Sequence, residues 1–196
     1  GSIFATGAAV QWLRDELCLI SEAAELGPLA ESVEDSGGVV FVPAFTGLGS
    51  PWWDPWARGT IIGLTRGTGR AELARAVVEA MAFQTRDVVE AMVEAGAQPL
   101  TELKVDGGAA IMDLLLKLQA DQLGVPVTRS ATTETTALGA AFFAGLAEKL
   151  WSSTDELATL WRGDPAVEPV ADRRAAEVSY RRWLEAVKRS RGWAPD

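Results

Sequence analysis

The parts of this chain best suited to chemistry are glycines and hydroxyls at turns. Val105-Asp106-Gly107-Gly108 joins a short extended run, Leu103 to Val105, to an apolar helical pattern. In that pattern Ile111, Leu114, Leu115, Leu118 and Leu123 share one face, and Gly124 closes it. A strand feeding a helix through paired glycines leaves N–H groups unpaired at the helix start, where a phosphate or a nucleotide edge can sit. The same residues also suit a tight turn that binds nothing, since a lone glycine pair is a weak signal. Thr6-Gly7 and Thr132 to Thr136 form two more turns ahead of helical patterns. In open α/β sheets such turns converge at the carboxyl ends of the strands, so they mark a candidate nucleotide or phosphate site. Other chemistry is excluded by composition. The chain has no histidine, which removes Ser-His-Asp and Cys-His catalysis and most zinc chemistry. Asp54, Asp87 and Asp106 are the tempting local bases, and each reads as a structural or nucleotide-side residue.

The rest of the composition describes the protein that must carry such a site. Apolar residues at 48% and charged residues at 23% over 196 residues make a globular chain with an ordinary core. The net charge of −9 argues against a nucleic-acid surface. The C-terminal arginines and Lys188 share a helix with Glu177 and Glu185, and read as a solvated face. Cys18 has no disulfide partner and is expected to pack as a small hydrophobe within Leu17 to Ile20. No membrane span or signal peptide is expected, and a cytoplasmic location follows.

Strands are expected at Ile3-Phe4, Val39 to Phe45, Leu103 to Val105 and Val125 to Arg129. Pro43 is placed at the end of the second, a run suited to burial on both faces. Helices are expected over Ala8 to Ile20, Ala71 to Ala95, the run from Ile111, Thr135 to Trp151, Ser153 to Trp161 and Asp172 to Arg191, with a loop or short helix within Leu26 to Gly38. The long Ala71 helix carries a core stripe of Leu73, Val77, Met81, Val88 and Met92. Its polar stretch Gln84 to Asp87 reads as an exposed turn or a cleft-facing one. Thr46 to Gly63 holds Trp52, Trp53 and Trp56 in a glycine-rich loop, which suits a ligand cleft, an oligomer contact or a self-packed Ω-loop. Hydroxyls of Thr132 to Thr136 are expected to cap the following helix, whose ALGAAFFAGLA run lets its backbone approach a neighbour closely. Strands alternating with helices give an α/β architecture with a partly parallel sheet.

Several blocks together resemble the FGGY family of carbohydrate kinases, and among them the C-terminal lobe of glycerol kinases. They are GSIFATGAAVQWLRD (Gly1 to Asp15), VPAFTGLGSPWWDPWARGTIIGLTRG (Val42 to Gly67), AFQTRDVVEAM (Ala82 to Met92), VDGG (Val105 to Gly108) and TETTALGAAFFAGLA (Thr133 to Ala147). The resemblance implies an actin-like ATPase domain of the ribonuclease H-like class, spanning residues 1–196, with the N-terminal lobe and first strands absent. It implies transfer of the γ-phosphoryl of Mg2+-ATP to glycerol, giving glycerol 3-phosphate, by the full-length enzyme. A kinase of another polyol or sugar and a non-catalytic assembly module are the alternatives. Carried over by position, the nucleotide contacts are Gly7, Gln11, Gly107, Gly108 and Met112. Met112 stands where the family has an asparagine, and Asp113 where a second is common. Methionine can pack on an adenine face but makes no amide hydrogen bond. The catalytic aspartate and the glycerol contacts fall upstream, so no catalytic and no metal-ligating residue is expected here. The chain alone is expected to be inactive, and to self-associate because the strands expected before Gly1 would leave a sheet edge and apolar surface uncovered.

Overall fold

The computed structural model describes residues 1–194. The chain opens with α1 (Gly7–Asp15), a 3-10 turn (Ala23–Glu25) and the short α2 (Leu26–Glu31). Two short strands follow, β1 (Val40–Val42) and β2 (Thr60–Ile62), and then the long α3 (Arg70–Glu94). A βαβ unit comes next, built from β3 (Leu103–Val105), a 3-10 turn (Gly108–Ile111), α4 (Asp113–Leu123) and β4 (Val127–Arg129). The helices α5 (Thr135–Ala147), α6 (Thr154–Ala158) and α7 (Arg173–Ser190) complete the chain. The β1–β2 ladder is antiparallel, with Phe41 opposite Ile61. The β3–β4 ladder is parallel, with Lys104 opposite Thr128, as a strand–helix–strand crossover requires. Ile3 and Phe4, expected as a strand, join neither ladder.

The core is organised around α3, which packs against α2, α4, β1 and α7. Its N-terminus is closed by Glu72, which accepts the Gly69 N–H at 2.8 Å. Leu114 and Leu115 of α4 join this main core, while Leu116 and Ala120 form a second cluster with Val127 of β4. Val39, Phe41, Val42 and Ala44 are all buried, but the ladder stops at Val42 because Pro43 has no N–H to donate.

The largest departure from expectation lies in the middle of α3. Gln84, Arg86 and Asp87 are buried, not on an exposed turn, and of this stretch Thr85 faces a small cavity behind the glycine turn. Burial is tolerable because each polar group is answered. Asp87 accepts from Tyr180 Oη at 2.6 Å, Trp183 Nε1 at 2.8 Å and Trp52 Nε1 at 3.3 Å. Arg86 pairs with Glu90 at 2.6 Å and Glu177 at 2.5 Å, and lies over the Tyr180 ring. One helical turn thus ties α7 and the tryptophan loop to the core helix.

The loop itself is largely self-packed. Asp54 accepts the N–H groups of Trp56, Ala57 and Gly192, while Trp53 and Trp56 stay exposed. Other expectations are corrected. Met92 lies beyond the buried part of α3 and is exposed. Cys18 is exposed at a left-handed backbone position after α1, so it does not pack as a core hydrophobe. Met112 takes an extended conformation that interrupts the helical run, so Ile111 sits exposed in the 3-10 turn and α4 begins at Asp113. No threonine hydroxyl caps α5, because Glu134 occupies the cap position, and Thr135 Oγ1 donates to Asp106.

Candidate functional site

The start of α1, the glycine turn and the α2 segment face one another across a cleft of about 930 Å³. From α1 come Gly7 and, one helical turn later, Gln11. The glycine turn supplies Asp106, Gly108, Met112 and Asp113, and the α2 side supplies Leu26, Gly27 and Pro28. Four of the five residues singled out from the sequence therefore line one space, although Gly7 and Met112 are 105 positions apart. Gly107 does not line it. Its part is conformational, since it turns the chain with a φ of 84°, which side-chain-bearing residues rarely adopt.

Gly7 and Gly108 share a property that fits a contact surface. A Cβ built at either would meet nothing within 4 Å, so neither glycine is demanded by protein packing. Both sit where helical turns begin, and turn starts present N–H groups with no partner within the turn. Met112 forms part of the apolar wall. Its Cγ lies 3.4 Å from where a Cβ on Gly27 would stand, so the methionine closes over the glycine of α2 and joins the two sides of the cleft. With Val10, Pro28 and the exposed Ile111 it gives a surface suited to the face of a planar ring. Polar groups surround it. Gln11 lies on α1, Arg14 one turn beyond it, and the carboxylates of Asp106 and Asp113 flank the glycine turn.

The structure adds residues that the sequence did not mark. Arg129, at the end of β4, braces the glycine turn from behind. Its Nη1 donates to the carbonyls of Ala110 at 3.1 Å and Ile111 at 3.3 Å, and to Asp113 at 3.1 Å, while its Nε pairs with Asp164 at 2.7 Å. The hydrogen bond to Asp164 comes first among the causes that raise the Arg129 pKa, so the brace carries its charge throughout the working pH range. Only its position at a strand end after Pro126-Val127 could have hinted at this. Gly27 was equally hidden, as half of an apparent Gly-Pro loop.

Asp54 and Asp87 are absorbed by structural hydrogen bonds far from the cleft, and Asp106 alone of the three acids reaches it. Among the described residues no group of three or more acidic, histidine or cysteine side chains is placed to hold a metal ion. None of the described helices is long and apolar enough to cross a membrane.

A sequence model of the C-terminal domain of the FGGY family of carbohydrate kinases matches residues 1–148. The chain belongs to this family. It is 59% identical over 193 residues to a glycerol kinase of Aromatoleum aromaticum, covering 98% of this chain and 39% of that one. A glycerol kinase 2 of Thermotoga maritima is 56% identical, again with 98% and 39% covered. The chain thus spans well under half the length of these relatives. Among solved structures it resembles the glycerol kinase of Plasmodium falciparum with ADP, at a TM-score of 0.86 and 34% identity over 97% of this chain and 38% of that one. It also resembles a xylulose kinase of Rhodospirillum rubrum, at a TM-score of 0.77 and 28% identity, covering 94% of this chain and 38% of that one. The fold is accordingly the actin-like ATPase architecture of this family's C-terminal part.

Proposed function

We propose that residues 1–196 form the nucleotide-binding C-terminal domain of an ATP-dependent glycerol kinase, and that the cleft between α1 and the glycine turn holds the nucleotide. The observation that carries this reading is the convergence of Gly7, Gln11, Gly108 and Met112 on that cleft. Support comes from a structural relative solved with ADP and from glycerol kinases more than half identical over nearly the whole chain. In this reading the adenine lies against Met112 and its apolar neighbours. The phosphates lie toward the amides at the starts of α1 and the glycine turn, where helix-start N–H groups favour negative charge. Mg2+ travels with the phosphates, consistent with a cation that keeps most of its waters and uses few protein ligands. No catalytic residue is assigned to this chain. Phosphoryl transfer depends on aligning acceptor, phosphate and base, so activity requires the part of the enzyme that binds glycerol. Self-association to a homo-oligomer and a cytoplasmic location complete the proposal.

The test is isothermal titration of the chain with Mg2+-ADP beside Gly108→Asp. The substitution has open space around its Cβ, so the fold should survive while a carboxylate enters the cleft. Saturable heat in the parent that is lost in the variant is the expected result. Binding that the substitution leaves unaffected places the nucleotide elsewhere, and no heat from a folded parent overturns the reading for this chain.

A further inference from the structure

Behind the glycine turn a smaller cavity of about 130 Å³ opens off the cleft. Thr6, Asp106 and Ala109 line both spaces, while Thr85 of α3 and Gln119 of α4 line only the inner one. Gln119 is 7% exposed. Its Nε2 donates to Thr85 Oγ1 at 3.1 Å, and that hydroxyl donates its own proton to the Met81 carbonyl at 2.8 Å. Thr85 can therefore only accept from the amide, which fixes the amide orientation and turns Gln119 Oε1 away. Among the described residues, Gln119 Oε1 is the buried side-chain polar atom for which no protein donor lies in reach. A buried acceptor left so is costly, and such atoms in folded proteins are met by ordered water when the space is polar and roomy enough.

The room is present, and four polar side chains stand in a wall that is otherwise apolar. A water occupies about 30 Å³ in the liquid and needs two to four polar partners. The chamber has room for water, and Gln119 Oε1, Thr85 Oγ1, the Asp106 carboxylate and Thr6 offer partners along its length. We infer that the chamber is a water-binding site, and that through this water Gln119 is a positioning residue for the Asp106–Gly108 turn. The turn region is thereby held from two sides, by Arg129 at the Ala110 and Ile111 carbonyls that follow the glycines and by the hydrated chamber at Asp106. The hydration and the positioning stand independently of the nucleotide reading, and only their consequence for ADP rests on it.

The test uses Gln119→Leu, which removes the acceptor at similar volume, and the pair Thr85→Val and Thr85→Ser. In the folded parent, magnetisation transfer from long-lived water to the Gln119 amide and the Thr85 methyl is expected. It should persist in Thr85→Ser at the Gln119 amide and vanish in Gln119→Leu at the Thr85 methyl. Exchange of the Ala110 N–H, which bonds to the Gly107 carbonyl at 3.1 Å, should rise about tenfold in Gln119→Leu and in Thr85→Val, beyond any change in global unfolding. Mg2+-ADP affinity should fall by about threefold to tenfold in the same variants. Absence of long-lived water in the parent overturns the water site. Unchanged Ala110 exchange overturns the positioning role. A parent that holds water and shows these exchange changes, yet binds no ADP, removes only the nucleotide reading.

Discussion

α5 and α7 are opposites in composition and opposites in fate. α5 is nearly all apolar, yet Gly145 is its one buried residue and Phe143 is 73% exposed. α7 is crowded with arginine, lysine and glutamate, yet it buries Tyr180, Trp183, Ala186 and Val187 and ties itself to Asp87 and Arg86. Apolar content therefore did not decide which helix entered the core. A helix is buried only where a complementary surface exists for it, and within this chain β1, β2, α4 and α3 together provide one for α7. α5 finds little beyond its own tail, where Trp151 packs edge-on to Phe142 with ring centroids 5.4 Å apart.

Removing the acceptor at the centre of the α7 interface should break the contrast. Asp87→Ala leaves three donors, two of them in buried aromatic side chains, without their carboxylate. Its expected cost is about 3 kcal/mol or more in urea denaturation, enough to detach α7. Trp183→Phe keeps an aromatic ring but loses the indole N–H bond and some volume, so a loss of about 2 kcal/mol is expected by the same measurement.

The pH dependence should be smaller and have an unusual sign. Burial pushes the Asp87 carboxyl above its ordinary range despite the donors from Tyr180, Trp183 and Trp52. A carboxyl that holds its proton more tightly when folded adds stability below its unfolded value and loses it as pH rises through its raised folded value. Comparing pH–stability curves of the parent and Asp87→Asn should show the parent losing relative stability as pH climbs through that window. A parent that instead gains relative stability would mean the hydrogen bonds outweigh burial.

The smallest effect is expected on α5. Phe143→Ser should change unfolding free energy by no more than about 0.5 kcal/mol, because the ring is already in solvent. A larger loss in dilute solution would show that α5 packs more closely than its exposure implies. If the chain self-associates through this face, the same variant should lower the sedimenting mass.

Much of the site was legible in the sequence. Gly107 needs a backbone angle that glycine adopts freely, and Gly124 ends its helix in the left-handed region with a φ of 70°, as its place after Leu123 suggested. The βαβ unit around VDGG followed from periodicity, because strand and helix repeats are local. Its neighbours were less readable. Gln84 to Asp87 gave no sign of burial, since partners such as Trp183, Tyr180 and Glu177 lie about ninety positions away. Ile111 fitted the helical period but was excluded from the core by the backbone of Met112, which periodicity cannot see.

By itself, then, the sequence determined most of the helices and the βαβ unit around VDGG, the chemistry ruled out by the lack of histidine, and the motifs that mark an FGGY kinase. Each of these depends on residues within a few positions of one another or on composition alone. Only the tertiary structure decided that Gly7, Gln11, Gly108 and Met112 share a cleft, that Arg129 braces the glycine turn, and that Gln119 faces a small chamber behind it. Those depend on distances between segments far apart in the chain, which are set by how α1, α2 and the βαβ unit pack around α3.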